Sequence, residues 1–421
     1  MPGNESMAVT IAIVGCLDTK GEELRFIKEV LEGDGVRTHV IDTGVLTGVL
    51  TGQAVRADTP RENVAAAAGS SIEELRAAGD RGNAVKVMST GAAKVAADLC
   101  RAGAIQGIIA AGGSANTTIG CAAMRALPIG FPKVMVSTLA SGDVSPYVQT
   151  KDILMLYSVV DIAGVNRISA RILSNAARAV AAMAAGRPVP VESSRPIVAA
   201  TMFGVTTPCV STARKALEAA GYEVLVFHAT GTGGRAMEDL IEDGYIAGVL
   251  DITTTELADE LVGGILSAGP RRLTVAGSVG IPQVVSVGAI DMVNFGPRDT
   301  VPPKFQGRKF YQHNPNVTLM RTTPEENAEL GKRIAERLRG AKAPVRVILP
   351  SRGVSSYAKE GGPFHDPEAD RCLIESIARW ADRSVPVEIM DTDINDPRFA
   401  GRCAAALLDL MAEREQSRER A

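Results

Sequence analysis

The sequence is poor in aromatic residues, in histidine and in net charge. Phe, Tyr and Trp make up 4% of its 421 residues, there are four His, and the formal net charge is −3. A chain without an excess of basic residues lacks the field that attracts nucleic acids and anionic membranes, so we expect neither as a partner. The four dispersed His and the six Cys, which form no CxxC pair, do not have the spacing of a zinc site.

Two further absences concern membranes and sorting. No uncharged run reaches the length of a transmembrane helix. The first residues contain no basic segment followed by an apolar one, so the sequence predicts no secretory signal. The scattered cysteines then indicate reduced, mostly buried thiols, and we expect a cytoplasmic protein.

What the sequence does have is a duplication. Residues 9–44 and residues 196–231 share one layout: an apolar run, a small polar loop, a helical stretch, and a second apolar run that ends in Thr-Gly. This layout is typical of the start of a doubly wound α/β domain, in which ligands bind at loops that leave the carboxyl ends of the strands. We therefore predict an α/β fold with two Rossmann-like domains, each a doubly wound and mostly parallel sheet, and a cleft between them.

The domain boundary is predicted near residue 190. Residues 188–195 combine proline, serine and charge, as linkers do. They would separate an N-terminal domain, residues 1–190, from a C-terminal domain, residues 191–421. Residues 65–86 look like a helical insertion without a counterpart in the second half, and residues 89–91 are expected to precede a new helix.

Glycine-rich and hydroxyl-rich loops in the first domain are candidates for an anion site. Residues 112–118 are seven consecutive small or polar residues between a buried strand and a helix. Glycine lets a ligand approach the backbone, and free N–H groups at a helix start attract anions. Lys20, after the first strand, could sit over a phosphate as a point charge, and a solvated lysine is an equal alternative. The predicted ligand contacts of this domain are Asp18, Thr19, Lys20, Gly112, Gly113, Ser114 and Thr117.

The second domain has matching loops. Residues 231–235, Gly-Thr-Gly-Gly-Arg, precede a helix, and Arg235 could add a bidentate phosphate contact. Their spacing is not GxGxxG, and GxxxxGK[ST] occurs nowhere, so neither a dinucleotide fingerprint nor a Walker A motif is present. The predicted ligand contacts of this domain are Thr206, Thr207, Gly231, Thr232, Gly233 and Arg235.

Carboxylates and one histidine are the candidates for chemistry. Aspartates near the predicted ligand loops could hold Mg²⁺ through water, although helix caps and turns explain most of them. These aspartates are Asp18, Asp143, Asp152, Asp251 and Asp291. Asp251 and Asp291 are the candidates for metal binding or proton transfer. His313 is the best candidate for a general base, with a hydrogen-bonded loop histidine as the alternative.

Several longer strings resemble a known family. They are Gly15-Cys16-Leu17-Asp18-Thr19-Lys20 and residues 132–138, 140–144, 157–161, 201–208, 227–234, 291–296 and 313–322. These strings are similar to the ATP-binding domain at the N-terminus of the plant tomato mosaic virus resistance protein and to its bacterial relatives. The resemblance covers nearly the whole chain and implies two Rossmann-like subdomains, nucleotide binding with Mg²⁺, and dimerisation. The sequence departs from it at Ala115-Asn116, where a second Gly-Gly is expected.

The sequence leaves three functions open. The leading hypothesis is a homodimer that binds ATP with Mg²⁺, or a related phosphorylated ligand, and uses it in a step on a small metabolite. The second is a non-catalytic, nucleotide-responsive regulator of a separately encoded barrel enzyme. The third is an ATP-independent enzyme that acts on a small carboxylate or sugar acid in the same loops.

Overall fold

The computed structural model describes residues 9–45, 55–186 and 195–419. The chain divides into two compact units, Met1–Pro190 and Val191–Ala421. The predicted linker, apart from its last residue, lies outside the described residues. The cleft expected between the domains stays a prediction.

The N-terminal unit alternates strands and helices along the chain. Its elements are β1 (Thr10–Gly15), α1 (Leu17–Gly33), β2 (Arg37–Asp42), α2 (Arg61–Ala67), α3 (Ile72–Ala78), α4 (Arg81–Arg101), β3 (Gly107–Gly112), α5 (Ser114–Arg125), β4 (Lys133–Ser137), α6 (Ser145–Val148), β5 (Leu154–Tyr157) and α7 (Arg167–Ala185). The five strands form one sheet in the order β2-β1-β3-β4-β5, and every neighbouring pair is parallel.

Helices cover both faces of this sheet because successive side chains of a strand point to opposite faces. In β1, Ile11 and Ile13 are buried in one apolar cluster with residues of α1 and α7. Ala12 and Val14 are buried in another cluster with residues of α2, α4 and α5. After Thr10 the strand contains only apolar residues and a final glycine, as expected for a parallel sheet buried on both sides.

The predicted helical insertion is present as α2, α3 and the start of α4. The expectation that a helix begins after residues 89–91 is wrong, because α4 runs from Arg81 to Arg101 without a break. Gly91 lies inside α4, where an added Cβ would come within 1.9 Å of the Val64 carbonyl oxygen in α2. This glycine therefore permits the close crossing of two helices and does not mark a helix start.

The C-terminal unit repeats the same plan and extends it. Its elements are β6 (Ile197–Met202), α8 (Thr207–Ala219), β7 (Glu223–His228), α9 (Thr232–Glu242), β8 (Ile246–Thr253), α10 (Thr255–Val262), α11 (Val275–Val279), β9 (Gln283–Gly288), β10 (Met292–Phe295), β11 (Phe310–Asn314), β12 (Val317–Arg321), α12 (Pro324–Leu338), β13 (Val345–Pro350), α13 (Pro367–Trp380), β14 (Val387–Met390) and α14 (Pro397–Glu419).

The large sheet of this unit has the order β7-β6-β8-β9-β13-β14, again with parallel pairs only. Its first five positions reproduce the strand order of the N-terminal sheet, so the duplication seen in the sequence is a duplication of topology. Strands β10, β12 and β11 form a separate antiparallel sheet inserted between β9 and α12. The predicted α/β class with two doubly wound domains is confirmed.

Candidate functional site

A cavity of about 850 Å³ opens in the N-terminal unit, where the loops after β1, β3 and β5 meet the turn between α3 and α4. All strands of the sheet are parallel, so these loops share its carboxyl edge, where ligand sites of this fold class form. The volume is in the range of small-molecule sites. The lining residues are Cys16, Asp18, Thr19, Lys20, Thr43, Val45, Leu75, Arg76, Gly79, Asp80, Arg81, Ala84, Val85, Met88, Gly113, Ser114, Ala115, Asn116, Ile119 and Asp161. Among them are the predicted contacts Asp18, Thr19, Lys20, Gly113 and Ser114.

Helix α5 presents its N-terminus to this cavity. The helix begins at Ser114, and its N-cap residue, Gly113, supplies no capping side chain. The first N–H groups of a helix have no acceptor within the helix, and together they form a favourable site for an anion. An added Cβ at Gly113 would meet only Thr138 Oγ1, at 3.8 Å. The approach to these N–H groups is therefore open.

Gly112 and Thr117, two other predicted contacts, do not line the cavity. Their contacts are with other residues of the protein. Gly112 has a φ of +156°, and an added Cβ would lie 2.5 Å from the Asn116 side chain. The Thr117 hydroxyl lies 2.7 Å from Ser137 Oγ and is fully buried. Gly112 and Thr117 therefore shape the turn into α5, whereas Gly113 and Ser114 line the cavity.

The loop after β1 leads into the first turn of α1, and a kink separates this turn from the rest of the helix. Lys20 breaks this helix, with φ −131° and ψ 22°, and its ammonium group donates to the Ile162 carbonyl oxygen. The ammonium has three N–H donors, so this contact leaves capacity for a ligand oxygen. The solvated lysine considered from the sequence is replaced by a lysine that joins the loops after β1 and β5.

The loop after β5 brings Asp161 to the cavity, a residue that sequence reasoning missed. Glu23 of α1 accepts a hydrogen bond from Gly164 N at 2.9 Å and fixes this loop to the helix. Val159 has a φ of +62° and is 60% exposed. A β-branched residue in the left-handed region is strained, and such strain is frequent beside functional sites.

Asp42 and Cys16 hold the loop after β1 in place. Asp42 accepts hydrogen bonds from Leu17 N and Gly44 N, at 3.1 and 2.9 Å. Burial raises the pKa of the Cys16 thiol to about 12, although the neighbouring Thr43 hydroxyl lowers it. A thiol with so high a pKa is a poor nucleophile at neutral pH.

The glycine-rich loop of the C-terminal unit follows β7, the counterpart of β2, and a side chain of the protein itself binds its N–H groups. Glu256 Oε1 accepts hydrogen bonds from Gly231 N at 2.7 Å and Gly234 N at 3.1 Å, at the start of α9. Added Cβ atoms would lie 1.9 Å from the His228 carbonyl oxygen at Gly233 and 2.2 Å from Glu256 Oε2 at Gly234. Here the glycines allow close packing around a carboxylate. A ligand phosphate would have to displace Glu256 from this position.

Arg235 and the threonines of the second domain also have internal partners. Arg235 Nε donates to the Gly231 carbonyl oxygen at 3.2 Å. Thr206 Oγ1 lies 2.8 Å from Thr253 Oγ1 and is fully buried, and Thr207 Oγ1 donates to the Phe203 carbonyl oxygen at 3.2 Å. Thr232 is exposed at the start of α9. Apart from Thr232, these predicted contacts stabilise their own loops.

Asp251 belongs to a buried ion-pair network. Its two carboxylate oxygens bind Arg272 at 2.6 and 2.7 Å, and Thr201 Oγ1 donates to it at 2.7 Å. Arg272 also pairs with Glu256 at 2.6 Å, and its side chain is fully buried. Burial raises the pKa of the neighbouring Glu238 to about 7. In this arrangement Asp251 is closed to a metal or a substrate.

Asp291 is fully buried after β9, where Ser355 Oγ donates to its Oδ2 at 2.8 Å. Burial raises its pKa, and the Arg321 guanidinium opposes that shift. In this structure the carboxyl group of Asp291 is closed to solvent. Asp152, expected on the ligand side, lies on the opposite edge because β5 begins after it, and it pairs with Lys133 at 2.7 Å.

His313 does not lie in a loop as expected, but in the edge strand β11. It is exposed, and its Nδ1 lies 3.2 Å from the Tyr357 hydroxyl. Tyr357 contacts Tyr311, with ring centroids 4.8 Å apart. A hydrogen-bonded histidine on an open surface has no enclosed space in which to act on a substrate.

The sequence matches one protein family along almost all of its length. Residues 9–188 match the N-terminal domain, and residues 195–411 the C-terminal domain, of the family described as Uncharacterised protein family (UPF0261). The chain belongs to the UPF0261 family. A UPF0261 protein of Clostridium tetani is 52% identical over 403 residues, which cover 95% of this chain and 98% of the relative.

Of two further relatives, one is covered almost completely by the match and the other is covered to about half of its length. A UPF0261 protein of Rhizobium meliloti is 46% identical over 402 residues, covering 95% of this chain and 98% of that protein. The ToMV resistance protein Tm-1(GCR237) of Solanum lycopersicum is 40% identical over 427 residues, covering 96% of this chain and 56% of the tomato protein. The resemblance to the plant resistance protein is thus confirmed at the level of the family.

The similarity to solved structures is weak. The S. aureus MnaA-UDP co-structure aligns with 95% of this UPF0261 chain and 95% of that chain, at 9% identity and a TM-score of 0.20. A score this low supports no argument about fold or ligand.

The described residues of this UPF0261 chain contain neither a cluster of metal-binding side chains nor a helix suited to span a membrane. No three His, Cys, Asp or Glu side chains in residues 9–45, 55–186 and 195–419 are grouped as a metal site requires. Within the same residues, none of the helices combines the length and apolar composition of a membrane span.

Proposed function

We propose that the N-terminal domain binds a phosphorylated small molecule in its cavity, with ATP and Mg²⁺ as the leading ligand. The observation that carries this proposal is the uncapped N-terminus of α5, which opens into a cavity of about 850 Å³ beside Lys20. Phosphate oxygens there would accept from the first N–H groups of α5 and from the Lys20 ammonium.

The remaining polar lining suits a phosphate with a bound cation. The Ser114 and Thr19 hydroxyls would donate to phosphate oxygens. Mg²⁺ usually reaches a protein with phosphate oxygens and waters and needs only one or two carboxylates. Asp18 and Asp161 are the carboxylates at this end of the cavity.

A second candidate ligand is a small carboxylate. In the same chain, the N-terminus of α9 already holds a carboxylate, that of Glu256, through two backbone N–H groups. The uncapped N-terminus of α5 could hold a substrate carboxylate in the same way, without Mg²⁺. The dependence of binding on Mg²⁺ separates the two ligands.

Calorimetric titration of the whole protein with ATP, with and without Mg²⁺, tests the proposal. We expect saturable binding that weakens when Mg²⁺ is removed. Absence of binding of ATP and of inorganic tripolyphosphate would contradict the proposal and favour a small carboxylate. An assay for ADP and phosphate in the same samples then separates an enzyme, which consumes ATP, from a regulator, which does not.

A further inference from the structure

One wall of the cavity is built from α3, α4 and the turn between them, and it combines the charged residues Arg76, Asp80 and Arg81 with a group of apolar residues. The apolar group, which we call the apolar wall, presents Ala84 and Val85 of α4 as half-buried side chains, and the lining residues Leu75, Met88 and Ile119 beside them are at most 4% exposed. A ligand that covers the half-buried Ala84 and Val85 side chains removes apolar surface from water, which favours binding. Phosphate groups need none of it.

The apolar wall is held in place by its own hydrogen bonds. The Asp80 carboxylate caps α4 by accepting from Gly82 N at 2.8 Å and Asn83 N at 3.1 Å. Arg76 Nε donates to the Val45 carbonyl oxygen at 2.8 Å and joins α3 to the loop after β2. The wall is therefore preformed, which limits the ordering cost when a ligand binds.

The two copies of the fold differ at this point. In the C-terminal unit α9 follows β7 directly, and the helix that corresponds to α5 by strand order is α10, whose first residues Thr255 and Glu256 are fully buried. The N-terminal unit places three helices, α2 to α4, after β2 and leaves the N-terminus of α5 open. The insertion and the open anion site thus occur in the same unit.

We propose that α4 forms a second subsite, which binds an apolar ring or chain of the ligand and sets its specificity. This inference rests on the proposed phosphate site. The ligand class is a phosphorylated molecule with an apolar body, whose phosphate end lies at α5 and whose body lies against Ala84 and Val85. Bare polyphosphates occupy only the α5 end.

The substitution Ala84→Trp tests the subsite, because the indole would fill the apolar end of the cavity. Lys86→Trp is the matched control: Lys86 is exposed on the same helix and does not line the cavity. We expect Ala84→Trp to weaken ATP binding about tenfold or more by steric exclusion, and to change tripolyphosphate binding less than about twofold. Lys86→Trp should leave both affinities unchanged.

A second variant tests the subsite if Ala84→Trp does not fold. Val85→Asn places a neutral polar group on the same wall, and we expect it to weaken ATP binding but not tripolyphosphate binding. Equal affinities of wild type for ATP and tripolyphosphate, or equal effects of both variants on the two ligands, would overturn the second subsite while leaving the phosphate site standing. If wild type binds neither ligand, the proposed phosphate site itself fails.

Discussion

At the residue scale, the Glu256 carboxylate binds N–H groups at the start of α9, whereas the N-terminus of α5 has no side-chain cap. The same carboxylate joins two N–H groups of α9 to Arg272, and all of these groups are buried. The sequence showed the glycines of residues 231–235 but not their partner, which lies more than twenty positions away. Local patterns predict a helix N-terminus well, and they cannot show whether a distant side chain fills it.

Removal of the Glu256 carboxylate should expose an anion site. We expect Glu256→Ala to lower the free energy of unfolding by about 3 to 5 kcal/mol, because buried N–H groups and Arg272 lose a partner. Added formate should restore part of that loss, measured by denaturant unfolding against chloride at equal ionic strength. Glu256→Gln fills the space and should gain nothing from formate. Equal formate effects on wild type and Glu256→Ala would contradict this assignment.

Titration of Glu238 makes the free energy of unfolding depend on pH between 4.5 and about 7. Burial raises its pKa from 4.5 to about 7. Between these values the folded protein binds more protons than the unfolded chain, so this contribution to stability is present at low pH and is lost as pH rises through 7.

Glu238→Gln removes that titration while keeping the acceptor for Leu273 N, which lies 2.7 Å from Oε1. Relative to wild type, we expect the variant to be more stable at about pH 8.5 than at about pH 5.5, by on the order of 2 kcal/mol. Denaturant unfolding at both pH values measures the difference. A difference that does not change with pH would rule out Glu238 as the titrating group.

At the element scale, the crossing of α2 and α4 positions the apolar wall of the cavity. Gly91 is required there, since a Cβ would approach the Val64 carbonyl oxygen to 1.9 Å. We expect Gly91→Ala to destabilise the N-terminal domain by about 1 to 3 kcal/mol, because backbone atoms must shift. Gly33→Ala in α1, with nothing within 4 Å of an added Cβ, is the control. A melting temperature equal to that of the control would contradict this role.

Some elements could be predicted from the sequence and others could not. The apolar runs of β1 and β6 and the Thr-Gly endings after β2 and β7 predicted the repeated β-α-β units, because both faces of a parallel strand are buried. The prediction that a helix starts after residues 89–91 was wrong, because a glycine inside a helix and a glycine at a helix start cannot be distinguished by sequence alone. Strands β10 to β12 were missed because they are short and lie between loops.

At the scale of the whole molecule, the two domains share a strand order but differ in the groups at the carboxyl edges of their sheets. Both have the same parallel strand order over five positions. The N-terminal unit has an open helix N-terminus in a cavity, whereas the matching carboxyl-edge groups of the C-terminal unit, including Asp251, Thr206 and Glu256, have internal partners. We therefore expect ATP to bind at the N-terminal site alone, with one molecule per chain.

The most direct test of this account is calorimetric titration of wild type and Gly113→Val with ATP and Mg²⁺. Gly113 has φ −83° and ψ −159°, and an added Cβ meets only Thr138 Oγ1 at 3.8 Å, so the fold should tolerate the change. Gly142→Val, in the loop after β4, is the control. The account predicts one bound ATP per chain in wild type and Gly142→Val, and at least about a tenfold loss of affinity in folded Gly113→Val. Wild-type affinity in Gly113→Val would contradict it.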